Sequence, residues 1–291
     1  MTQLVVQHYT QPTARRHLWT GMAMAAVALA FGLEQSIHWL AAHPMAAKGL
    51  EASLLAGLAT GLGALPVLFL RRPSARLMAP MLGLAGGMML AASLFSLLVP
   101  AVQTVAASPA PWLLGGITAA AFLAGVAMMQ RIDRRLPHAH VEELEASGMQ
   151  PHVALVVAAI ALHNIPEGLA VGVAAASGAD HGMTLGIALQ NIPEGWIVAS
   201  AMLALGAAPI RAALIALGTG LVEPVGGLFG VVASTMAGAT LPLALAAAAG
   251  AMLWVVSHEL IPASHRPGRE AAGTAGLAAG FAVMTVLAAA F

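Results

Sequence analysis

The chain of 291 residues contains no cysteine, a single tyrosine and little charge, with Asp, Glu, Lys and Arg together making up 8% of it. Soluble domains carry roughly a quarter charged residues, so this scarcity excludes a water-soluble globule. The missing thiols exclude disulfide scaffolds, cysteine-held zinc and thiol catalysis. Twelve Lys and Arg balance twelve Asp and Glu, which leaves no basic surface to displace phosphate counterions and excludes nucleic acid as a partner. What fills the chain instead is apolar: 59% of the residues are hydrophobic and 31 are glycine. Such a composition belongs in a lipid bilayer, where each remaining charge is costly and marks a purpose.

A membrane helix needs about 20 mainly apolar residues. That length predicts nine spans, over 18–41, 47–70, 78–99, 112–130, 152–176, 183–205, 210–235, 241–261 and 272–290. The cations orient them, because short cytoplasmic loops collect Lys and Arg. Arg15, Arg16, Arg71, Arg72, Arg76, Arg131, Arg134, Arg135, Arg211, Arg266 and Arg269 all fall on alternate loops, and Lys48 alone falls on the other side. The amino terminus therefore reads as cytoplasmic and the carboxyl terminus as external; one span more or fewer would put later clusters on the wrong side. Basic residues precede the first span as they would a signal sequence, but its length and its Glu34, Gln35 and His38 favour a retained helix. The chain reads as one transmembrane domain with an additional helix at 18–41, a core at 47–290 and a cytoplasmic loop at 131–151. That loop holds His138, His140, Glu142, Glu143 and Glu145, a composition that binds divalent metal weakly.

One hexapeptide occurs twice: His163-Asn164-Ile165-Pro166-Glu167-Gly168 and Gln190-Asn191-Ile192-Pro193-Glu194-Gly195, identical at five positions. With about 1.5 Å of rise per residue, Glu167 and Glu194 lie about 15 and 18 Å from the turn joining their helices, at the midplane of a core about 30 Å thick. His163 and Glu167 are four apart, as are Gln190 and Glu194, so each pair projects from one helix face. Pro166 and Pro193 donate no backbone hydrogen bond and release the carbonyls of Leu162 and Leu189, which at this depth need protein, a wet cavity or a cation. Glu223, followed by Pro224, stands at the same depth in its own span. Three such carboxylates stay charged together only with a cation or protons to compensate them. His258 and Glu259 lie nearer the cytoplasmic end and suit a role beside the ligands of the central site or on the exit path. The stretch His258-Glu259-Leu260-Ile261-Pro262 lacks the second His, four residues on, of a zinc-protease helix, which counts against a peptidase. Met88 and Met89, in the third span, read as packing residues when taken alone. An imidazole, carboxylates, an amide and a thioether suit zinc or ferrous iron better than sodium, potassium or calcium; magnesium favours all-oxygen octahedra. The residues thus reach a transporter of first-row divalent metals.

These motifs resemble the ZIP (Zrt/Irt-like) metal transporter family, in its bacterial, GufA-like branch. The resemblance covers nearly all the chain from Lys48: 81–93 on the third span, both Asn-Ile-Pro-Glu-Gly helices, Glu223-Pro224 and 257–262. It implies an all-α polytopic membrane protein, an eight-helix core with an inverted repeat plus one extra amino-terminal helix. By motif position it assigns a first metal to His163, Glu167, Gln190 and Glu194, with Met89 as a further ligand. A second metal would share Glu167 and Glu194 and add Asn164, Asn191 and Glu223. His258 and Glu259 resemble exit residues, and the 131–151 loop resembles a metal-collecting loop. Many bacterial relatives have Asp where this chain has Asn191, and a neutral amide weakens the second site. The resemblance implies zinc uptake through the inner membrane as cargo transport, with iron, manganese and cadmium as alternative cargo and no organic cofactor. An exporter of the same metals and an intramembrane metalloenzyme are the alternatives. The glycine-rich faces permit a homodimer without requiring one.

Overall fold

Inside a bilayer every backbone N–H and C=O must be satisfied by protein, and a single segment achieves that only as a helix. The computed structural model describes residue 34 and residues 38–69, 75–135, 153–177, 180–235 and 240–290, and no strand occurs among them. The chain divides into a short amino-terminal unit, Met1–Ala47, and a body, Lys48–Phe291. In the first unit Glu34 and residues 38–42 are helical; the rest of the expected first span, 18–33 and 35–37, lies outside the described residues.

Eight helical stretches follow: α1 (Pro44–Leu68), α2 (Arg76–Ala106), α3 (Pro111–Arg135), α4 (Val153–Ser177), α5 (Asp180–Ala204), α6 (Pro209–Thr235), α7 (Thr240–Ser264) and α8 (Glu270–Ala290). Six of them, α1, α2, α3, α6, α7 and α8, are long and apolar enough to cross a membrane among the described residues. The motif helices α4 and α5 have 25 residues each, about 37 Å of helix. Large apolar side chains such as Trp112, Leu113, Ile117, Leu123 and Phe229 are exposed, as a lipid-facing surface requires. The protein is an all-α, multi-pass membrane protein.

Four helices depart from the regular spans that the sequence predicts, each at a proline: α1 closes as 3-10 helix over Leu65–Leu68 at Pro66, and three others change within their length. Pro224 has no N–H and its ring would strike the carbonyl of Gly220; α6 accordingly breaks into Pro209–Gly220 and Glu223–Thr235. In α2 and α7 the same conflict, at Pro100 and Pro262, is met by widening the preceding turns into π-helix, at Ala92–Leu98 and Val256–Leu260. There the amides of Val99 and Ile261 bond to carbonyls five residues back, those of Leu94 and Val256. In both π segments the second residue is a serine, and Ser93 and Ser257 donate to the carbonyls of Met89 and Leu253 at 2.7 Å. The first five residues of the expected 131–151 loop, Arg131 to Arg135, prolong α3.

Water-driven hydrophobic burial does not hold helices together in lipid; close packing of small residues does. Two packing groups result. In one, α4 packs along α6 and α5 lies against α1 and α6. In the other, α2 packs along α8 and α3 along α7. Exchanging α1 with α6, α2 with α7, α3 with α8 and α4 with α5 reproduces these pairings, which is the pattern of an inverted repeat. The exchange is visible at single residues: a Cβ on Gly57 would meet the carbonyl of Gly220, and a Cβ on Gly220 the carbonyl of Gly57. Backbone approaches of this kind, Gly168 on Glu223 and Gly195 on Thr60 in the first group, Gly280 on Leu84 and Gly250 on Phe122 in the second, stay within a group. Between the groups, Gly186 of α5 meets only the side chain of Met284 of α8 and, beyond it, that of Leu287. The two groups meet through an apolar cluster that includes Met88, Met89, Ala170, Val171, Ile187, Met252 and Met284. Methionine is unbranched and adapts to irregular or changing surroundings.

Candidate metal centre

Buried polarity is distributed unevenly between the groups. Among the described residues the buried side chains of α2, α3, α7 and α8 that carry polar atoms are hydroxyls, Ser93, Thr118 and Ser264. The α1, α4, α5 and α6 group buries His163, Asn164, Glu167, Gln190, Asn191 and Glu223, all but His163 entirely. Glu194 is half-buried and close enough to Glu167 and Glu223 for their charges to repel.

The four-residue spacings place these side chains on facing sides of α4 and α5, and the interlock is made by amides. Gln190 Nε2 donates to Glu167 Oε1 at 2.6 Å, tying the two motifs together. Asn164 Nδ2 donates to the carbonyl of Thr219 at 3.0 Å. Asn191 Nδ2 donates to the carbonyl of Ala56 at 2.8 Å and to Glu223 Oε1 at 2.5 Å. Ala56 and Thr219 immediately precede the paired glycines Gly57 and Gly220, so the two asparagines make equivalent clasps on equivalent carbonyls. The break in α6 makes Glu223 the first residue of a half-helix, where unpaired N–H groups and the helix dipole favour a carboxylate.

Every amide nitrogen of the motifs is thus engaged, and what remains is oxygen. Asn164 Oδ1, Glu167 Oε2, Gln190 Oε1, Asn191 Oδ1 and Glu223 Oε2 are buried with no hydrogen-bond partner among the described residues. Buried acceptors without donors are costly, and a concentration of them at one depth is the chemistry of a cation. Among the described residues no three His, Asp or Glu side chains already converge as a closed cage; the carboxylates are held by amides instead. Met89 is buried in the apolar cluster beside the motif helices.

Glu259 belongs closer to the centre than its place in the sequence suggests. From the π segment of α7 its Oε1 lies 3.5 Å from Nε2 of His163. Its neighbour His258 turns the other way, with Nε2 3.5 Å from Oδ2 of Asp133 near the end of α3. Three participants carry no signal in the sequence: the carbonyls of Ala56 and Thr219, which only tertiary packing presents, and Asp133, which sits among arginines in what reads as a loop flank. The loop residues His138, His140, Glu142 and Glu143 lie outside the described residues.

Comparison with known proteins supplies the family. Residues 133–288 match the family described as "ZIP Zinc transporter". The chain is 47% identical over 247 residues to the zinc transporter GufA of Myxococcus xanthus, covering 82% of this chain and 97% of that protein. The chain belongs to the ZIP zinc transporter family. It is also 45% identical over 240 residues to the zinc transporter ZIPB of Bordetella bronchiseptica, covering 79% of this chain and 76% of that one. Against the zinc transporter ZupT of Stenotrophomonas maltophilia it is 34% identical over 250 residues, covering 81% and 93%. ZIP membership makes the chain a transport protein rather than an enzyme.

Proposed function

We propose that this ZIP chain carries zinc across a bacterial inner membrane into the cytoplasm, through a midplane site formed by His163, Glu167, Gln190 and Glu194, with iron, manganese and cadmium as further cargo. The observation that carries the reading is the pair of donorless buried oxygens, Glu167 Oε2 on α4 and Gln190 Oε1 on α5, which a divalent cation satisfies. Met89 is a further ligand of the same site. Ionised Glu and neutral imidazole bind metal, so protons compete with it; zinc affinity falls as pH falls, and acidification promotes release. Two groups of helices, each locked by backbone contact and meeting through methionines, suit movement of the metal-bearing group against the other. His258, Glu259 and Asp133 then lead from the site to the cytoplasmic end of α3 and on to the His/acid loop. The amino terminus is cytoplasmic and the carboxyl terminus periplasmic.

Radioactive zinc flux into proteoliposomes of known orientation, with and without a pH gradient, tests this reading. Zinc enters through the wild type in the uptake direction, and Glu167→Ala reduces flux to that of empty vesicles while the protein keeps its fold. Equal flux in Glu167→Ala would remove the assigned site, and flux only in the opposite direction would make the chain an exporter.

A further inference from the structure

A neutral amide at position 191 weakens a second metal site, and the hydrogen bonds of Asn191 carry this further, on the basis of the midplane site proposed above. The carbonyl of Ala56 can only accept, so the nitrogen of Asn191, not its oxygen, must face it. The same nitrogen faces Glu223 Oε1. Both of its hydrogens are therefore directed, one to α1 and one to the carboxylate at the head of the second half of α6. A cation placed between Asn191 and Glu223 would confront that NH2 group and would have to break both bonds.

Charge points the same way. Four carboxylates would balance two divalent ions, but with Asn191 only Glu167, Glu194 and Glu223 remain. Two ions would leave a positive excess at the midplane that no proton can cancel, whereas one ion leaves a negative excess that a single proton on the carboxylates cancels. Asn164 isolates the cause: it makes the equivalent clasp on Thr219, whereas the added bond to a carboxylate belongs to Asn191.

We propose that the amide of Asn191 stands in for a second cation, so that the midplane centre holds one divalent ion and α1, α5 and α6 are tied together without metal. The ion belongs to the His163, Glu167, Gln190 and Glu194 side of the centre. Glu223 serves the tie and not the ion.

Equilibrium dialysis of the purified full chain against zinc, with metal counted by mass spectrometry, tests this. His138→Ala and His140→Ala are combined throughout to remove loop binding. This parent binds one tight zinc per chain, Glu223→Gln leaves that count unchanged, and Asn191→Asp raises it to two. Without zinc, Asn191→Asp melts lower than the parent, because a carboxylate cannot donate to Ala56, and zinc restores it. Two tight zinc ions in the parent with one lost in Glu223→Gln, an unchanged count in Asn191→Asp, or an unchanged metal-free melting temperature each overturn the proposal. Should Asn191→Asp not fold, the Glu223→Gln count decides alone. A single zinc that survives His163→Ala would instead overturn the location of the transport site.

Discussion

The two groups of helices are built from similar apolar residues and related by the same exchange, yet they differ in what they bury. The group of α1, α4, α5 and α6 encloses a histidine, three amides and two fully buried carboxylates; the group of α2, α3, α7 and α8 encloses hydroxyls, of which Ser93 and Ser264 serve its own carbonyls. In the first, polar groups on different helices hold one another, as Gln190 holds Glu167 and Asn191 holds Glu223. In the second, Ser93 and Ser264 bond to their own helices. The lesson is a separation of tasks: the buried acids, amides and histidine sit within one packing group, and the other supplies an apolar wall from which a thioether, Met89, and one acid, Glu259, face them. A site whose members share one rigid group keeps its geometry when that group moves.

Four substitutions sharpen or break this contrast. The largest effect is expected within a group. Gly220→Val drives a side chain into the backbone of Gly57, and the loss exceeds about 4 kcal/mol, read as failure to recover monodisperse protein. Next comes Glu167→Ala, which abolishes flux but leaves thermal unfolding close to that of the wild type; a collapse of the fold would mean that the acid is structural. Glu259→Gln removes the one charge that the second group offers to His163, and zinc flux falls about tenfold with zinc affinity nearly unchanged, the scale of an outer partner of a metal ligand. The smallest effect belongs to the contact between groups. Gly186→Ala meets the flexible end of Met284, so stability changes by less than about 1.5 kcal/mol; a loss as large as that of Gly220→Val would erase the distinction between locked and adaptable contacts.

Much of this was legible in the sequence, for physical reasons. Span length and the repeated hexapeptide depend only on local pattern, and they located the core helices and singled out side chains that the fold buries together. Proline was legible as a disturbance but not as a kind of disturbance: Pro166 and Pro193 sit inside continuous helices, Pro224 accompanies a break, and Pro100 and Pro262 follow π segments. Which outcome prevails depends on the neighbours that satisfy the released carbonyls. The amide directions of Asn164 and Asn191 were hidden for the same reason, since Thr219 and Ala56 are ordinary small residues until packing presents their carbonyls. The approach of Glu259 to His163 was legible only as one of two roles, because depth counted along a regular helix takes no account of a π segment or of the reach of a side chain.

The absence of cysteine allows the central claim, movement of one group against the other, to be tested without background. A pair of cysteines at Gly186 and Met284 joins the two groups, and a pair at Gly61 and Leu217, which also meet glycine to side chain, joins α1 to α6 within one. Zinc flux in proteoliposomes is measured for each pair before and after bridging with a short bifunctional thiol reagent. Bridging 186 to 284 should stop flux while zinc binding persists, and bridging 61 to 217 should leave flux intact. Undiminished flux through a fully bridged 186–284 pair would contradict the account.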